Sequence, residues 1–503
     1  MTETLLETAA QAQERDRYTI EQEGIPSPVL METAARALCS LLESRLVAGS
    51  RILILCGPGS NGQDGLAMHR ILQEHGWDTA AYSPPGQSLQ RRILENRGIP
   101  VLTSLTQICA LAESLGPDDW IVDAMFGSGL SRPLEGTWHT LTEAANGSAA
   151  RILAVDVPSG MDGETGPLPG AVIQADLTAC IGTRKLGTVL PAALPLTGEV
   201  TTLDIGLGNP NTPRTVFELT ASKARTCLPV RPLLSWKGTF GKVLMAGGSR
   251  RMHGAIEMSA RACFHAGPGL LTVAVPEILQ PAMRCVLPEA MLLDLPGDPD
   301  CISEEAVPAI LHAARDMNVV SAGNGMGRQE GTRTLVQDLL QKTDVTLVLD
   351  ADALSVLDPH WLHRPGGQTI LTPHPGEFSR ITGWSVSDIT ANPVKAAQEF
   401  TRAYPDTVLV LKGAITCVSE HGQVWVLARP DSSLAKGGSG DMLCGIITGL
   451  AASQNPLEAA LCGVWAHNQA PLCSKKDPAA FGPQDLVDAL SDVWKSLRES
   501  RDL

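Results

Sequence analysis

Short apolar runs of Val, Ile, Leu and Ala, each closed by Gly, Asp or Pro, alternate with stretches of helical spacing along almost the whole chain. A strand covered on both faces reads as such a continuous apolar run, and its alternation with helices is the pattern of a parallel α/β sheet. A helix is expected over 29–46, with Leu30, Ala34, Ala37, Leu38, Leu41 and Leu42 on one face. Strands are then expected at RILILC (51–56), WIVDAMF (120–126), ILAVDV (152–157), LTACIG (177–182) and VTTLDIGL (200–207). Between 209 and 235 the periodicity fades, and Pro210, Pro213, Pro229 and Pro232 mark a linker or docking segment. A second series follows: KVLMAGG (242–248), LLTVAV (270–275), NVVSAGNG (318–325), TLVLDADAL (346–354), QTILTPH (368–374) and TVLVLKG (407–413), with a hairpin at His421-Gly422. A length of 503 residues allows two to three domains. The pattern predicts two α/β domains, 1–215 and 225–503.

The surface charge narrows the function. With 39 Lys and Arg against 54 Asp and Glu, the formal charge of −15 repels phosphate backbones and anionic lipid, which excludes nucleic acid and membrane as partners. Aromatic residues make up only 4%, against an aromatic cage or base-stacking platform. The first residues lack the basic and apolar regions of a secretory signal, and no apolar run has membrane-spanning length. The 12 cysteines include no Cys-x-x-Cys pair, so they read as reduced core residues of a cytoplasmic protein.

After RILILC comes GPGSNGQDG (57–65), where Gly57, Gly59 and Gly62 fit G-x-G-x-x-G between a strand and a helix, a setting in which backbone amides can meet a pyrophosphate. A dinucleotide dehydrogenase would carry an acidic residue at the end of its second strand, yet TAAYSPPG stands there. Asn61 and Asp64 instead put oxygen ligands inside the loop, while Asp123 and Asp156 stand at later strand ends that converge on one crevice. Each Gly could be only a tight turn and each Asp only a cap.

In the second series the string LAKGGSGDMLCGIITGL (434–450) leads Gly437, Gly438 and Gly440 into a helix. Free amides there can hold a transferring phosphoryl group, with Asp441 beside them as a base. Gly, Lys, His or Asp follow most of the upstream strands, as in KGTFGKVLMAGGSRRMHGA (237–255), SAGNGMG (321–327), ILTPHPGEF (370–378) and LVLKGAIT (409–416). Asp350 and Asp352 are expected to support loops; His374 and Glu377 either orient protons or form structural hydrogen bonds.

The first set of motifs, with Val-Asp-Ala-x-Phe-Gly-x-Gly-Leu-x-Arg from Val122 and Val-Asp-x-Pro-Ser-Gly from Val155, resembles the NAD(P)H-hydrate epimerase domain, a Rossmann-like three-layer α/β/α fold. The resemblance implies a potassium ion held by Asn61, Asp123 and Ser159. It also implies that hydrated dinucleotide meets Ser60, Asn61, Gly62, Gln63 and Asp64, the stretch Gly127, Ser128, Gly129, Leu130, Ser131, Arg132 and Pro133, and Asp156, a carboxylate able to shuttle a proton.

The second set resembles the ADP-dependent NAD(P)H-hydrate dehydratase domain, a ribokinase-like α/β fold, from about 235 to 490. It departs from the usual pattern at Trp236, Asn324, Met326 and 431–433. The resemblance implies that Lys412, Gly413, Ala414, Ile415, Thr416 and Gly440 bind the nucleotide, while Ala255, Gly325, His374 and Asp441 meet the hydrated dinucleotide. Hydroxide is a poor leaving group, so such a site would deprotonate the hydroxyl with Asp441, phosphorylate it and expel phosphate, with magnesium assisting. The implied enzyme is bifunctional. It epimerises the R and S forms of hydrated NADH and NADPH, and dehydrates the S form while ADP becomes AMP and phosphate. The alternative is a ribokinase-like vitamin kinase fused to a non-catalytic nucleotide-binding module. The apolar helix over 29–46 also suggests a homo-oligomer.

Overall fold

The structure, a computed structural model, describes residues 4–364 and 366–499. Residues 1–3 and 500–503, at the outer ends of the two expected domains, lie outside the described residues, as does Pro365. The chain forms two compact units, one from Leu5 to Arg214 and one built on the residues from Thr215 onward. Among the described residues no helix is long and apolar enough to cross a membrane.

In the first unit six strands form the sheet: β1 (Arg51–Cys56), β2 (Asp78–Tyr82), β3 (Trp120–Ala124), β4 (Arg151–Val155), β5 (Leu177–Ile181) and β6 (Glu199–Leu203). They stand in the order β6-β5-β4-β3-β1-β2, every neighbouring pair parallel. Successive residues of β1 point to opposite faces. Ile52 and Ile54 join a core with Leu38 and Ile71, while Leu53 and Leu55 join a second core with Ile108 and Leu141. Two buried faces make three layers, and burying each such side chain contributes roughly 1.5–3 kcal/mol. The strand order reverses direction between β1 and β3, which opens a crevice at their carboxyl ends.

The helix expected at 29–46 runs Ser27–Glu43. Its apolar face is not free for self-association: Leu30, Ala34, Leu38 and Leu42 are buried within the unit, where the helix packs on Ser60–Glu74.

The second unit carries a ten-stranded sheet. Its strands are β7 (Val216–Glu218), β8 (Lys242–Ala246), β9 (Leu270–Ala274), β10 (Met291–Leu293), β11 (Val319–Ala322), β12 (Thr346–Leu349), β13 (Thr369–Leu371), β14 (Thr407–Leu411), β15 (Thr416–Glu420) and β16 (Gln423–Leu427). The order is β7-β16-β15-β14-β13-β12-β11-β8-β9-β10, parallel from β14 to β10, with β15 antiparallel to both its neighbours. The expected hairpin joins β15 to β16, and His421 and Gly422 both take positive φ there, at 49° and 76°. The Pro-marked stretch is more than a linker. It holds β7, which pairs with Val424–Val426, and a helix at Ala221–Thr226.

Helix Ser439–Ala451 is buried along its length and lies against helix His253–Ala266. A β-carbon on Gly445 would stand 2.0 Å from the Ser259 carbonyl oxygen, and one on Gly449 would stand 2.4 Å from that of Cys263. Only glycine at both positions lets the two backbones touch.

Candidate active sites

In the first unit the loop after β1 feeds helix Ser60–Glu74, whose N-terminal amides face the crevice. Gly57 and Gly62 are required for a different reason from the one the motif suggests. A β-carbon at Gly57 would lie 1.7 Å from the Met125 carbonyl oxygen, and one at Gly62 would lie 1.9 Å from that of Gly57. These glycines let the backbone pack on itself, whereas the β-carbon position of Gly59 is open.

A cavity of about 640 Å³ lies over this loop. Ser60, Asn61, Asp64, Asp156 and the stretch from Gly127 to Arg132 line it, as expected; Gly62, Gln63 and Pro133 do not. Asp156 directly follows β4 with φ at 70°, a conformation costly for a residue with a side chain, and it lines the cavity. There Ser128 N–H donates to Oδ2 at 3.2 Å, and Lys185 Nζ stands 2.5 Å from Oδ1.

Lys185 and Asp16, which the motifs did not single out, complete the charge pattern. Burial alone would lower the Lys185 ammonium, but Asp156 reverses this and holds its pKa above the ordinary value. Burial raises Asp16, with Lys185 opposing, and burial pushes Asp64 well above the carboxylate range, reinforced by the charges of Asp156 and Asp16.

Below this surface Asp123 is fully buried. Ser159 Oγ donates to its Oδ1 at 2.6 Å, Ser159 N–H to Oδ2 at 2.7 Å and Met125 N–H to Oδ1 at 3.2 Å. Burial outweighs these bonds and pushes Asp123 up to about 6. Asn61 lies beside Gly127, and its buried amide nitrogen has no hydrogen-bond partner. Rotating that amide would present oxygen instead. A buried carboxylate, a serine hydroxyl and an unpartnered amide suit a cation that prefers oxygen ligands.

In the second unit a cavity of about 480 Å³ is lined by His374, Lys412, Gly413, Ala414, Thr416 and Gly440 of the expected set. Ile415 instead packs into the core at 2% exposure. Ala255, Gly325 and Asp441 are not in its lining. Gly440 and Asp441 adjoin at the helix start, and the β-carbon position of Gly325 is 3.1 Å from the Ala255 β-carbon.

Asp441 accepts from Asn324 Nδ2 at 2.7 Å, and burial, against that bond, raises it to about 6. Asn324 reaches Asp350 as well, at 3.3 Å, and Lys412 Nζ donates to Asp350 at 3.0 Å. Asp350 is therefore part of the site, while Asp352 accepts from Gly327 N–H and does support a loop. Desolvation would lower Lys412, but Asp350 and Glu377 hold its pKa above the ordinary value.

His374 lines the cavity and caps helix Pro375–Thr382, its Nδ1 accepting from Gly376 and Glu377 N–H, while its Nε2 stands 3.5 Å from Glu377 Oε1. His467 was not singled out. It lines the same cavity, bonds through Nε2 to Ser439, and burial pushes it down to about 4. It is neutral at pH 7.

The second unit has the ribokinase-like fold: a ribokinase-like superfamily protein from Enterococcus faecalis, 23% identical, covers 58% of this chain with 99% of its own at a TM-score of 0.50. A family model described as NAD(P)H-hydrate dehydratase matches residues 243–492, and one described as the YjeF-related protein N-terminus matches 27–187. The bifunctional NAD(P)H-hydrate repair enzyme Nnr of Moorella thermoacetica is 34% identical over 98% of this chain and 97% of its own length. That of Thermofilum pendens is 32% identical over 96% and 95%. The chain belongs to the family of bifunctional NAD(P)H-hydrate repair enzymes. The matches favour that reading over a vitamin kinase fused to a non-catalytic module.

Proposed function

We propose that residues 1–215 epimerise hydrated NADH and NADPH and that residues 225–503 dehydrate the S epimer, converting ADP to AMP and phosphate. The observation that carries this is the pair of cavities, one in each unit, the first lined by Asp156 and the second lined by Gly440, which Asp441 directly follows, each within its own family's match.

In the first cavity the hydrated ring carries a hydroxyl beside its nitrogen. The centre inverts when that hemiaminal loses and regains water or opens and closes. Asp156 takes and returns the proton, and Lys185 holds its carboxylate in place. A potassium ion would be held by Asn61, Asp123 and Ser159, and it would offset the buried charge of Asp123.

In the second cavity Asp441 takes the substrate hydroxyl proton. The oxygen attacks the β-phosphorus of ADP, releasing AMP, and phosphate then leaves the ring as the neighbouring carbon gives up a proton to form the double bond. The amides of the Gly437–Gly440 turn and Lys412 stabilise the transferring group, and His374 and His467 border the nucleotide. Magnesium would assist this transfer by neutralising charge on the nucleotide phosphates. Free thiols on all 12 cysteines suit a reducing cytoplasm.

Incubation with hydrated NADH and ADP is expected to restore the absorbance of reduced nicotinamide and to release AMP and phosphate in equal amounts. Unchanged absorbance with every nucleotide and divalent metal would end the reading. A stable phosphorylated product would favour a kinase.

A further inference from the structure

The loop after β11 carries a side chain that the dehydration chemistry above does not use. Asn324 is 1% exposed, and every polar atom of its amide is engaged. Nδ2 donates one hydrogen to Asp441 Oδ1 at 2.7 Å and the other toward Asp350 Oδ2 at 3.3 Å. Oδ1 accepts from the Cys444 thiol at 3.4 Å, and the hydroxyl of Ser321 stands 3.6 Å from that sulfur. The amide has one workable orientation, because rotating it would set its oxygen against two carboxylates. Asp350 is itself clamped by Lys412, whose ammonium also lies 3.2 Å from the β-carbon position of Gly440 in the anion loop.

We propose that Asn324 is a positioning residue of the dehydration site: it ties Asp441 to the Asp350–Lys412 pair and fixes Oδ2 of Asp441 as the oxygen left for the substrate hydroxyl. This rests on Asp441 being the base. A carboxylate at the end of a short side chain can turn about its last bond, and an anchored oxygen removes that freedom before substrate arrives. The same amide keeps two carboxylates close without direct repulsion. The charged groups facing Asp441 are Asp350 and Asp352, which favour its protonated form, and Lys412, which favours its charged form; Asn324 is the neutral donor among them. Removing that donor weakens the charged form, so protonation of the base moves to higher pH.

The test is the pH dependence of kcat for dehydration by the full chain with Asn324→Ala and Asn324→Ser, alongside Asp441→Asn. With Asn324→Ala the acid limb is expected to move up by about one pH unit, a loss of about fivefold at pH 6 that approaches about tenfold below pH 5 and disappears above pH 8. The KM for ADP should stay within about twofold, because the nucleotide cavity keeps its lining. Asn324→Ser can still offer a hydroxyl to one carboxylate and should fall between Ala and the parent; it also carries the test should Asn324→Ala fail to fold. An acid limb that does not move in either variant, whatever the loss at the plateau, overturns the positioning role. Dehydration that survives in Asp441→Asn overturns the base assignment instead, so the two failures are distinguishable.

Discussion

Asp123 and Asp441 sit in different units, at the ends of different elements, and burial pushes both to about 6. Their surroundings nevertheless point to opposite uses. Asp123 already accepts three protein hydrogen bonds, two from Ser159 and one from Met125, and it has no exposed surface, so it has room for a buried cation but not for substrate. Asp441 accepts from Asn324 and stands where the helix opens, directly after Gly440 of the second unit's cavity. A raised pKa alone therefore does not mark a base. What separates the two is how many protein donors each carboxylate already has and whether substrate can reach it.

Substitutions at the reactive carboxylate should have the largest effect. Asp441→Asn is expected to lower dehydration by about 10³-fold while epimer exchange continues, since loss of a general base typically costs about 10²–10⁴. Both rates can be followed on one preparation, by absorbance and by chromatographic separation of the epimers. A loss under about tenfold would place Asp441 with Asp123 as a structural group.

Next is Asp156→Asn, which should slow epimer exchange by about 10²-fold and leave dehydration of the pure S epimer unchanged. If both activities fell together, the two sites would not be the separate machines that the comparison assumes.

Acid should distinguish the two carboxylates too. With Asp441 needed as the charged form and raised to about 6, dehydration should be level above pH 7 and fall about tenfold per pH unit below 6. The sign for stability is opposite. A carboxylate raised by burial costs nothing while protonated, and its penalty grows as pH climbs from about 4 through 6, so Asp441→Asn should melt with the parent at pH 4 and above it at pH 8. Calorimetry at the two pH values checks this.

The smallest change is expected at Asp123→Asn. Potassium should raise the melting temperature of the first unit's transition in the parent by about 2–4 °C, and should leave the variant unmoved. An equal potassium response in both would remove Asp123 from the cation site.

The parts of this arrangement that lie close in sequence were legible before the fold was known. The loop from Gly57 to Gly65 and the turn before Asp441 each combine strand end, glycines, carboxylate and helix start within a few residues, and they occupy the expected places. Lys185 and Asp16 were not legible, because they meet at the Asp156 cavity from opposite ends of their unit. His467 lies in a helix buried on most sides, so no amphipathic break sets it apart. The glycine motif marks a loop that lines the cavity, and at Gly57 and Gly62 backbone crowding by itself already requires glycine. The strand at Val216–Glu218 was hidden by the prolines around it. Its pairing with β16 is long-range and leaves no local trace.

The crowding at Gly445 and Gly449 acts as a spacer gauge. Ala255 stands near the start of one helix of that pair, and Gly440 and Asp441 near the start of the other, so the gap between Ala255 and the proposed base is measured by two carbonyl contacts deep in the protein. A single methyl group added at Gly449, about two turns from the chemistry, would widen that gap with no change in any residue that meets a ligand.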